Sequence, residues 1–258
     1  MYEETPSAAV PGAVLWRADG GGGTVLPDGC MDLLWVDGRL LVAGPDTRPH
    51  PAGEVPGGAF AGLRLAPGTA PALLGVPAHA VRDGRVELTD LWPAREVRRL
   101  AGRAGLVEGC ADPRTGLEAL VARRAAGAAP PDPLAAAVVA GLRAGSAVAD
   151  IARAVGLGPR QLHRRSLDAF GYGPRTLGRI LRLRRALALA RAGLPYAEVA
   201  AVAGYADQAH LAREVRALAG TTLSAYTGGA DGADGASEEA SEGANRETPQ
   251  PSGSRTTA

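Results

Sequence analysis

The feature that most constrains this chain is an imperfect repeat in its C-terminal part. Five positions recur there in the same order. The recurring pairs are Ala152 and Ala200, Gly156 and Gly204, Leu162 and Leu211, Arg164 and Arg213, and Gly171 and Gly220. The first two pairs are 48 residues apart and the other three are 49 apart, so the second copy has one extra residue in its turn. Such a pattern predicts two copies of one supersecondary unit.

The first copy predicts two short helices joined by a tight turn. Ser146 can cap the first helix, which ends at residues 156–158, Gly-Leu-Gly. Pro159 suits the first position of the second helix, which places Leu162 and Leu167 inward and basic side chains outward. A short helix, a glycine turn and a basic second helix are typical of a helix-turn-helix unit. Between the copies, residues 177–190 predict a long helix that fixes the spacing of the two units.

The charge of the chain is unevenly placed. All 28 basic residues are arginine. Residues 134–226 contain 13 arginines and five acidic residues, a net charge of +8, whereas residues 1–133 carry −3 and residues 227–258 carry −4. A basic block within a chain of net charge +1 predicts a polyanionic partner for that block.

The N-terminal half predicts short strands. Residues 33–36, 40–42 and 60–65 are brief apolar runs separated by glycine, proline and aspartate. Asp37-Gly38, between the first two runs, is typical of a hairpin turn. From Pro93 onwards the periodicity becomes helical. We therefore expect a β-rich domain, a small barrel or a sandwich, that ends in helices.

Two stretches of the second copy carry a family resemblance. Residues 200–213 are Ala-Ala-Val-Ala-Gly-Tyr-Ala-Asp-Gln-Ala-His-Leu-Ala-Arg, and residues 220–226 are Gly-Thr-Thr-Leu-Ser-Ala-Tyr. They resemble the signature of AraC-type (AraC/XylS) transcription regulators. Residues 150–174 and 182–186 are similar to that family's first unit and linking helix. The resemblance covers residues 134–226 and implies a sequence-specific DNA-binding transcription regulator with two helix-turn-helix units.

The sequence departs from the family pattern at five positions. Tyr205, Leu211 and Val215 stand where the family usually has Phe, and Leu223 stands where it has Pro. Ser166 stands where the family has a buried Phe. This last change removes a large apolar side chain from the expected core of the first unit.

The second helix of each unit and the connecting helix supply the predicted DNA contacts. These residues are Arg160, Gln161, His163, Arg164, Arg182, Arg185, Gln208, His210 and Arg213. Arginine and glutamine can pair bidentately with guanine and adenine edges. The connector arginines, Arg179, Arg182, Arg184 and Arg185, suit a solvated or phosphate-facing side, while His210 suits a phosphate contact or a structural role in the turn. The alternative for each polar residue is an ordinary solvated helix face.

Three segments of the N-terminal half resemble a poorly characterised domain found with AraC-type DNA-binding domains. They are residues 27–35, 43–46 and 64–68. The resemblance implies a sensor or dimerisation domain, but it identifies no ligand-binding residues. The partners that we expect are double-stranded DNA, a small-molecule effector, a second copy of the chain and, for an activator, RNA polymerase.

The expected fold class is α+β: a β-rich N-terminal sensor domain followed by an all-α domain with two helix-turn-helix units joined by a long helix. We place the first domain at residues 11–127, a linker at 128–133, the DNA-binding domain at 134–226 and a disordered tail at 227–258, with residues 1–10 as a loose segment. The linker lacks apolar spacing, so we expect few contacts between the domains. A C-terminal fragment should then fold and bind DNA alone.

Other chemistry has weaker support in the sequence. Cys30 could act as a nucleophile, and His50 and His79 could bind a metal, but the chain lacks the cysteine cluster or His-x-His pair that such sites need. Asp28 and Asp32 could form a catalytic carboxylate pair, although a turn cap at Asp28 is the more ordinary explanation. We expect no catalytic residue, no cofactor and no metal.

Two alternative functions remain: an architectural DNA-binding protein without strong sequence preference, and an enzyme with a fused DNA-binding domain. The first is distinguished by its ratio of specific to non-specific affinity, and the second by a nucleophile–base or metal constellation. The chain starts without a basic or apolar leader and contains no apolar run of membrane-spanning length. We therefore expect a cytoplasmic protein with no membrane partner.

Overall fold

Strands come first and long helices follow in the computed structural model, which describes residues 2–19, 23–52, 59–107, 110 and 112–228. The strands of this described part are β1 Tyr2–Pro6, β2 Val14–Asp19, β3 Thr24–Val25, β4 Met31–Val36, β5 Arg39–Ala43, β6 His50–Pro51, β7 Ala59–Leu65 and β8 Arg85–Glu87. The helices are α1 Ala70–Leu74, α2 Leu88–Leu91, α3 Ala94–Arg103, α4 Pro113–Ala125, α5 Pro133–Arg143, α6 Val148–Ala154, α7 Pro159–Phe170, α8 Pro174–Arg191, α9 Tyr196–Ala203, α10 Gln208–Ala219 and α11 Leu223–Gly228, with a 3-10 helix at Ala78–Val81. The α+β prediction is confirmed.

Six strands form one antiparallel sheet in the order β1-β2-β7-β4-β5-β8, and β3 pairs separately with β6. The sheet is open, with β1 and β8 at its edges, and is not the expected barrel or sandwich. The predicted hairpin is confirmed, since β4 and β5 pair across Asp37 and Gly38. These two residues have φ values of 48° and 75°, which suit the tight turn of a hairpin.

The N-terminal segment belongs to the sheet, so its description as a loose segment is wrong. β1 pairs with β2 from Tyr2 to Pro6. Its side chains are mostly exposed and show no apolar periodicity, which is why the sequence did not predict a strand. Ion pairs add to the backbone ladder: Glu4 lies 2.9 Å from Arg64 Nη1, and Glu3 Oε2 lies 3.0 Å from Arg114 Nη1.

The N-terminal core lies between the sheet and α4. Alternate residues of β4, Met31, Leu33 and Trp35, are buried, as expected for a strand with one face on a core. Leu117 and Leu120 of α4 are fully buried in the same cluster. The helices that the sequence predicted beyond Pro93 therefore cover one face of the sheet.

Two further cores lie along α8. The first contains buried residues of α5, α6, α7 and the first half of α8, and the second contains those of the remaining half with α9, α10 and α11. Leu177 and Ile180 belong to the first core, whereas Leu183 and Leu187 belong to the second. The long connecting helix is confirmed, and it contributes side chains to both units.

The turns of the two units use the repeated glycines. Gly156 and Gly204 have φ values of 69° and 80°, which glycine adopts without a steric penalty. Ser146 does not cap α6, because the N-cap residue is Ala147 and makes no side-chain hydrogen bond. In the second unit the Asp207 side chain caps α10.

The two domains touch extensively, so the expectation of few contacts is wrong. Arg82 Nη1 donates to the carbonyl oxygen of Gly171 over 3.0 Å, and His79 Nδ1 lies 3.4 Å from Asp168 Oδ1. At Gly68 an added Cβ would lie only 2.6 Å from a side-chain carbon of α5. Linker composition could not reveal these contacts, because loops of the first domain and helix ends of the second make them.

The C-terminal boundary differs slightly from the prediction. α11 extends to Gly228, so residues 227 and 228 of the expected disordered tail are helical. The rest of that tail lies outside the described residues. None of the described helices has both the length and the apolar character that a membrane crossing requires.

Candidate nucleic-acid interface

α7 presents basic side chains at its N-terminal half. The rotation of the helix is fixed by Leu162, which is fully buried, so Arg160 and Arg164 are exposed. Among the described residues, no carboxylate pairs with either guanidinium group. Gln161 Oε1 accepts a hydrogen bond from the backbone nitrogen of Gly158 over 3.1 Å, so its carbonyl oxygen closes the turn. Gln161 as a residue is exposed.

α10 presents the same arrangement in the second unit. Leu211 and Val215 are fully buried and fix the rotation of the helix, and Gln208 and Arg213 are exposed. The Asp207 side chain accepts from the backbone nitrogen of His210 over 2.6 Å, which anchors the first turn of the helix. Within the described part of the chain, Arg213 also has no carboxylate partner.

Both predicted histidines contact a neighbouring turn of the domain, although His163 is exposed and His210 is only partly buried. An added Cβ at Gly173 would lie 2.6 Å from His163 Nδ1, so this ring closes the turn between α7 and α8. His210 Nδ1 accepts from the backbone nitrogen of Ala206 over 3.4 Å, and its ring meets Tyr205 edge-on with centroids 5.2 Å apart. Of the two roles that the sequence left open for His210, these contacts favour the structural one.

Two connector arginines are engaged within the domain. Arg179 of α8 makes two hydrogen bonds to the Glu214 carboxylate of α10, at 2.9 and 3.0 Å, and they lower the pKa of Glu214. The guanidinium group of Arg182 lies 4.9 Å from the centre of the Tyr205 ring, a cation–π distance. Both residues are only partly exposed and have partners inside the domain, so the solvated or phosphate-facing role expected for the run stays a prediction. Arg185 is exposed, as predicted.

The Arg179–Glu214 pair is a positioning feature that the sequence analysis missed. It holds α10 to the connecting helix, and 35 residues separate its partners. No local spacing pattern signals a pair at that separation. The two residues meet only because α8 and α10 pack against each other.

Polar groups are buried beneath the first unit. Ser166 is 1% exposed and Tyr172 is 3% exposed, and neither hydroxyl has a hydrogen-bond partner among the described residues. Burial raises the pKa of Tyr172, so its hydroxyl stays protonated. Ser166 corresponds in the repeat to the fully buried Val215. The core of the first unit is accordingly more polar than that of the second at this position.

The motif residues of the N-terminal domain form a partly buried charged network. Trp16 Nε1 donates to Asp32 Oδ1 over 2.6 Å, and Arg64 Nε lies 3.4 Å from that oxygen and 3.5 Å from Asp28 Oδ2. Asp28 Oδ1 accepts from the backbone nitrogen of Cys30 over 2.8 Å, which confirms the predicted turn cap. Burial raises the pKa of the Cys30 thiol, the opposite of the shift that a nucleophilic cysteine needs.

The histidines considered as metal ligands lie in different elements. His50 is in β6, and His79 is in the 3-10 helix, where it faces Asp168 of the second domain. In the described ranges, no three side chains of the His, Cys, Asp or Glu type are grouped as a metal site requires.

The paired units define a class of protein. Two helix-turn-helix units on one helix, each with exposed polar and basic side chains on its second helix, form a DNA-binding domain. Residues 151–228 match the family model of a helix-turn-helix domain, and residues 14–87 match that of a domain of unknown function, DUF6597. The C-terminal part of this chain is an AraC-type helix-turn-helix domain, which places the chain among DNA-binding transcription regulators.

The solved structures to which this chain is similar include several of ToxT from Vibrio cholerae. An apo ToxT variant from strain SCE256 has 11% sequence identity and a TM-score of 0.47, covering 87% of this chain and 98% of that chain. Wild-type ToxT from the same strain, described as bound to an unsaturated fatty acid, has 12% identity and a TM-score of 0.46, covering 88% and 97%. No curated protein sequence matches the chain.

Proposed function

We propose that this protein is a sequence-specific DNA-binding transcription regulator whose α7 and α10 enter successive major grooves. One observation carries the proposal. α7 and α10 each have an exposed polar and basic face, with Arg164 and Arg213 at equivalent positions, and both helices pack in units that share α8. Recognition helices held in this way suit groove segments about 34 Å apart on one face of the duplex.

The proposed contacts divide into two groups. The residues that contact base edges are Arg160, Gln161, Arg164, Gln208 and Arg213. Arg185 contacts phosphates. Arg182 also contacts phosphates, through the side of its guanidinium group that does not face the Tyr205 ring. His163 and His210 hold the turns beside the recognition helices, and a contact between either ring and a phosphate is a secondary expectation.

Control by a small-molecule effector is the second part of the proposal. A groove of about 390 Å³ lies between α3 and the β4–β5 hairpin. Its apolar lining includes Trp35, Leu40, Val97 and Leu106, and its charged groups are Arg98 and the ion pair of Arg39 with Glu87. An effector with an apolar body and an anionic group suits such a lining. A second copy of the chain and, for an activator, RNA polymerase are the further partners.

Selection of duplexes from a random DNA pool by the full-length chain tests the DNA-binding part. We expect enrichment of one asymmetric sequence and protection of about two helical turns. Arg213→Ala should weaken binding to the selected sequence about 5- to 150-fold, equivalent to about 1–3 kcal/mol, with little change for unrelated DNA. Arg185→Ala is the matched control, because loss of a phosphate contact weakens binding to all sequences alike.

The outcome separates the proposal from its alternatives. Tight binding at fixed salt without any enriched sequence would favour an architectural DNA-binding protein. An equal loss on all sequences for Arg213→Ala would remove that residue from the base-contacting group. Addition of candidate metabolites to the same assay identifies an effector as a compound that changes the apparent affinity, and Val97→Arg should abolish the response if the groove is its site.

A further inference from the structure

We propose that residues 45–49 of the N-terminal domain, the clamp loop, fix the two recognition helices relative to each other and thereby set the spacing between the half-sites that the protein accepts. The proposal deepens the function proposed above and rests on it. It gives the N-terminal domain a role in DNA specificity without any contact with DNA.

The clamp loop contacts the same point of both units. Gly171 and Gly220 are equivalent in the repeat, and each is the left-handed C-cap of a recognition helix. An added Cβ at Gly171 would lie 2.6 Å from Pro45 Cγ, and one at Gly220 would lie 3.1 Å from Pro49 Cγ. One five-residue segment therefore packs against the C-terminal ends of both α7 and α10.

The clamp loop is rigid enough for this role. Asp46, which is 8% exposed, accepts two hydrogen bonds from Arg85 at 2.8 and 3.0 Å. Asp83 accepts from the backbone nitrogen of Thr47 over 2.6 Å and from its hydroxyl over 2.9 Å. Both partners of the loop flank or begin β8, so the loop is fastened to the sheet. The prolines at its two ends restrict φ further.

Neighbouring contacts hold the same two units. Arg82 Nη1 donates to the carbonyl oxygen of Gly171. Gly29 packs against Leu177 at the start of α8, where an added Cβ would lie 3.1 Å from the leucine Cδ1. Leu26, from the same loop as Gly29, packs against the core of the second unit. The N-terminal domain thus touches both units, and its contacts at Gly171 and Gly220 lie at the C-terminal ends of α7 and α10.

This arrangement leaves the DNA-facing ends open. The candidate base-contacting residues lie at the N-terminal halves of α7 and α10, whereas the clamp loop touches the opposite ends. One base pair changes the position of a half-site by about 3.4 Å and rotates it by roughly 35°. A mutual orientation fixed at both C-caps would tolerate such a change poorly, while units joined only through α8 would follow it more easily.

The test uses the full chain and a double variant, Pro45→Gly with Pro49→Gly, which removes both proline rings from the C-caps. Pro11→Gly is the matched control, because Pro11 lies exposed in the turn between β1 and β2. Affinity is measured on the duplex that the full chain selects from a random pool, and on duplexes with one base pair added or removed between the half-sites. We expect the altered spacing to weaken wild-type and Pro11→Gly binding at least tenfold, and binding by the double variant less than threefold.

Amide hydrogen exchange supplies a second measurement that needs no DNA. The double variant should exchange the amides of residues 171–173 and 220–222 at least tenfold faster than the wild-type chain, with no change in Pro11→Gly. If the double variant does not fold, Pro49→Ala, which removes the Cγ contact with Gly220, takes its place with acceleration expected at 220–222.

The results distinguish this proposal from the proposed function. A wild-type chain that selects no sequence contradicts the function, and the exchange rates then still decide whether the clamp loop holds the helices. A double variant that keeps the wild-type spacing preference overturns the clamp proposal while leaving sequence-specific DNA binding intact. Unchanged exchange at both C-caps overturns the clamp proposal as well.

Discussion

The two helix-turn-helix units share a sequence pattern but are held in different ways. The second unit is closed by its own side chains, with Asp207 capping α10 and His210 packed on Tyr205. The first unit relies more on the N-terminal domain. Its recognition helix packs near Gly68 through Phe170 and pairs with His79 through Asp168.

Equivalent positions in a repeat therefore do not have equivalent surroundings. Ser166 and Val215 correspond, yet the Ser166 hydroxyl has no hydrogen-bond partner among the described residues and the Val215 side chain is fully apolar. Repetition of a motif specifies the local fold of each unit. The stability of each unit also depends on the elements that pack against it. Here the N-terminal domain packs mainly against the first unit.

Removal of the N-terminal domain should expose this difference most strongly. In a fragment of residues 133–228 we expect the amides of α6 and α7 to exchange about 100-fold faster than in the full chain, because the contacts near Gly68, Arg82 and Pro45 are lost. The amides of α9 and α10 should change less than tenfold. Hydrogen exchange followed by mass spectrometry makes the comparison, and equal acceleration in both units would mean that the two are supported alike.

Glycine-to-alanine substitutions in the intact chain test the same difference in support between the two units. One is made at a glycine that contacts the N-terminal domain and the other at a glycine that does not. Gly171 and Gly204 have φ values of 82° and 80°, but Gly171 faces Pro45 and Gly204 has open space around it. Gly204→Ala should lower the free energy of unfolding by about 1–2 kcal/mol through backbone strain alone. Gly171→Ala should lower it by about 3 kcal/mol or more, since overpacking adds to the strain. Denaturant unfolding measures both, and similar losses would contradict the close domain contact.

The ion pair between α8 and α10 provides a smaller effect that depends on pH. Glu214→Gln should destabilise the second unit by about 1 kcal/mol at pH 7, because Arg179 loses a charged partner that is mostly shielded from solvent. The pKa of Glu214 is depressed below its ordinary value of 4.5, so the stabilisation is present above that pH and is lost as the pH falls through the folded-state pKa. Urea unfolding at pH 7 and at acidic pH should show the difference from wild type becoming smaller as the pH falls. Asp150→Asn, which affects an exposed pair with Arg153, is the control with little expected effect.

Repair of the polar position in the first core should have the smallest effect. Ser166→Val copies the residue of the second unit and removes a buried hydroxyl without a described partner. We expect a gain of up to about 1 kcal/mol in the free energy of unfolding, since an unsatisfied buried group is costly. Ser146→Val, at an exposed position, should not give this gain. A loss of stability for Ser166→Val would indicate that its hydroxyl is paired or that the site has no room for another methyl group.

Local patterns in the sequence predicted most of the DNA-binding domain. Glycines at turns, buried leucines at helical spacing and the arginine-rich α8 all follow rules that span a few residues, and the structure has each of them. The hairpin at Asp37-Gly38 was predictable for the same reason. These features depend on backbone preferences and periodicity, which a single sequence carries.

What the sequence could not supply depends on residues far apart in the chain. β1 has no apolar alternation and exists through pairing with β2. The engagement of Arg179 by Glu214 and the packing of Pro45 on Gly171 connect elements that no local pattern links. For the candidate site, this means that helical periodicity predicted which arginines are exposed but could not separate those that also support the domain internally, and the DNA contacts themselves stay a prediction.

The order of the domains along the chain has a consequence during synthesis. The sheet and α4 emerge from the ribosome before any residue of the helical domain, so the face around Gly29, Gly68 and the clamp loop is complete while its partner is still being made. The first unit, whose core contains the polar Ser166, can then fold against a surface of the N-terminal domain that is already formed. A circular permutant that begins at residue 133 would reverse this order, and its yield of folded protein would report how far the first unit depends on that surface.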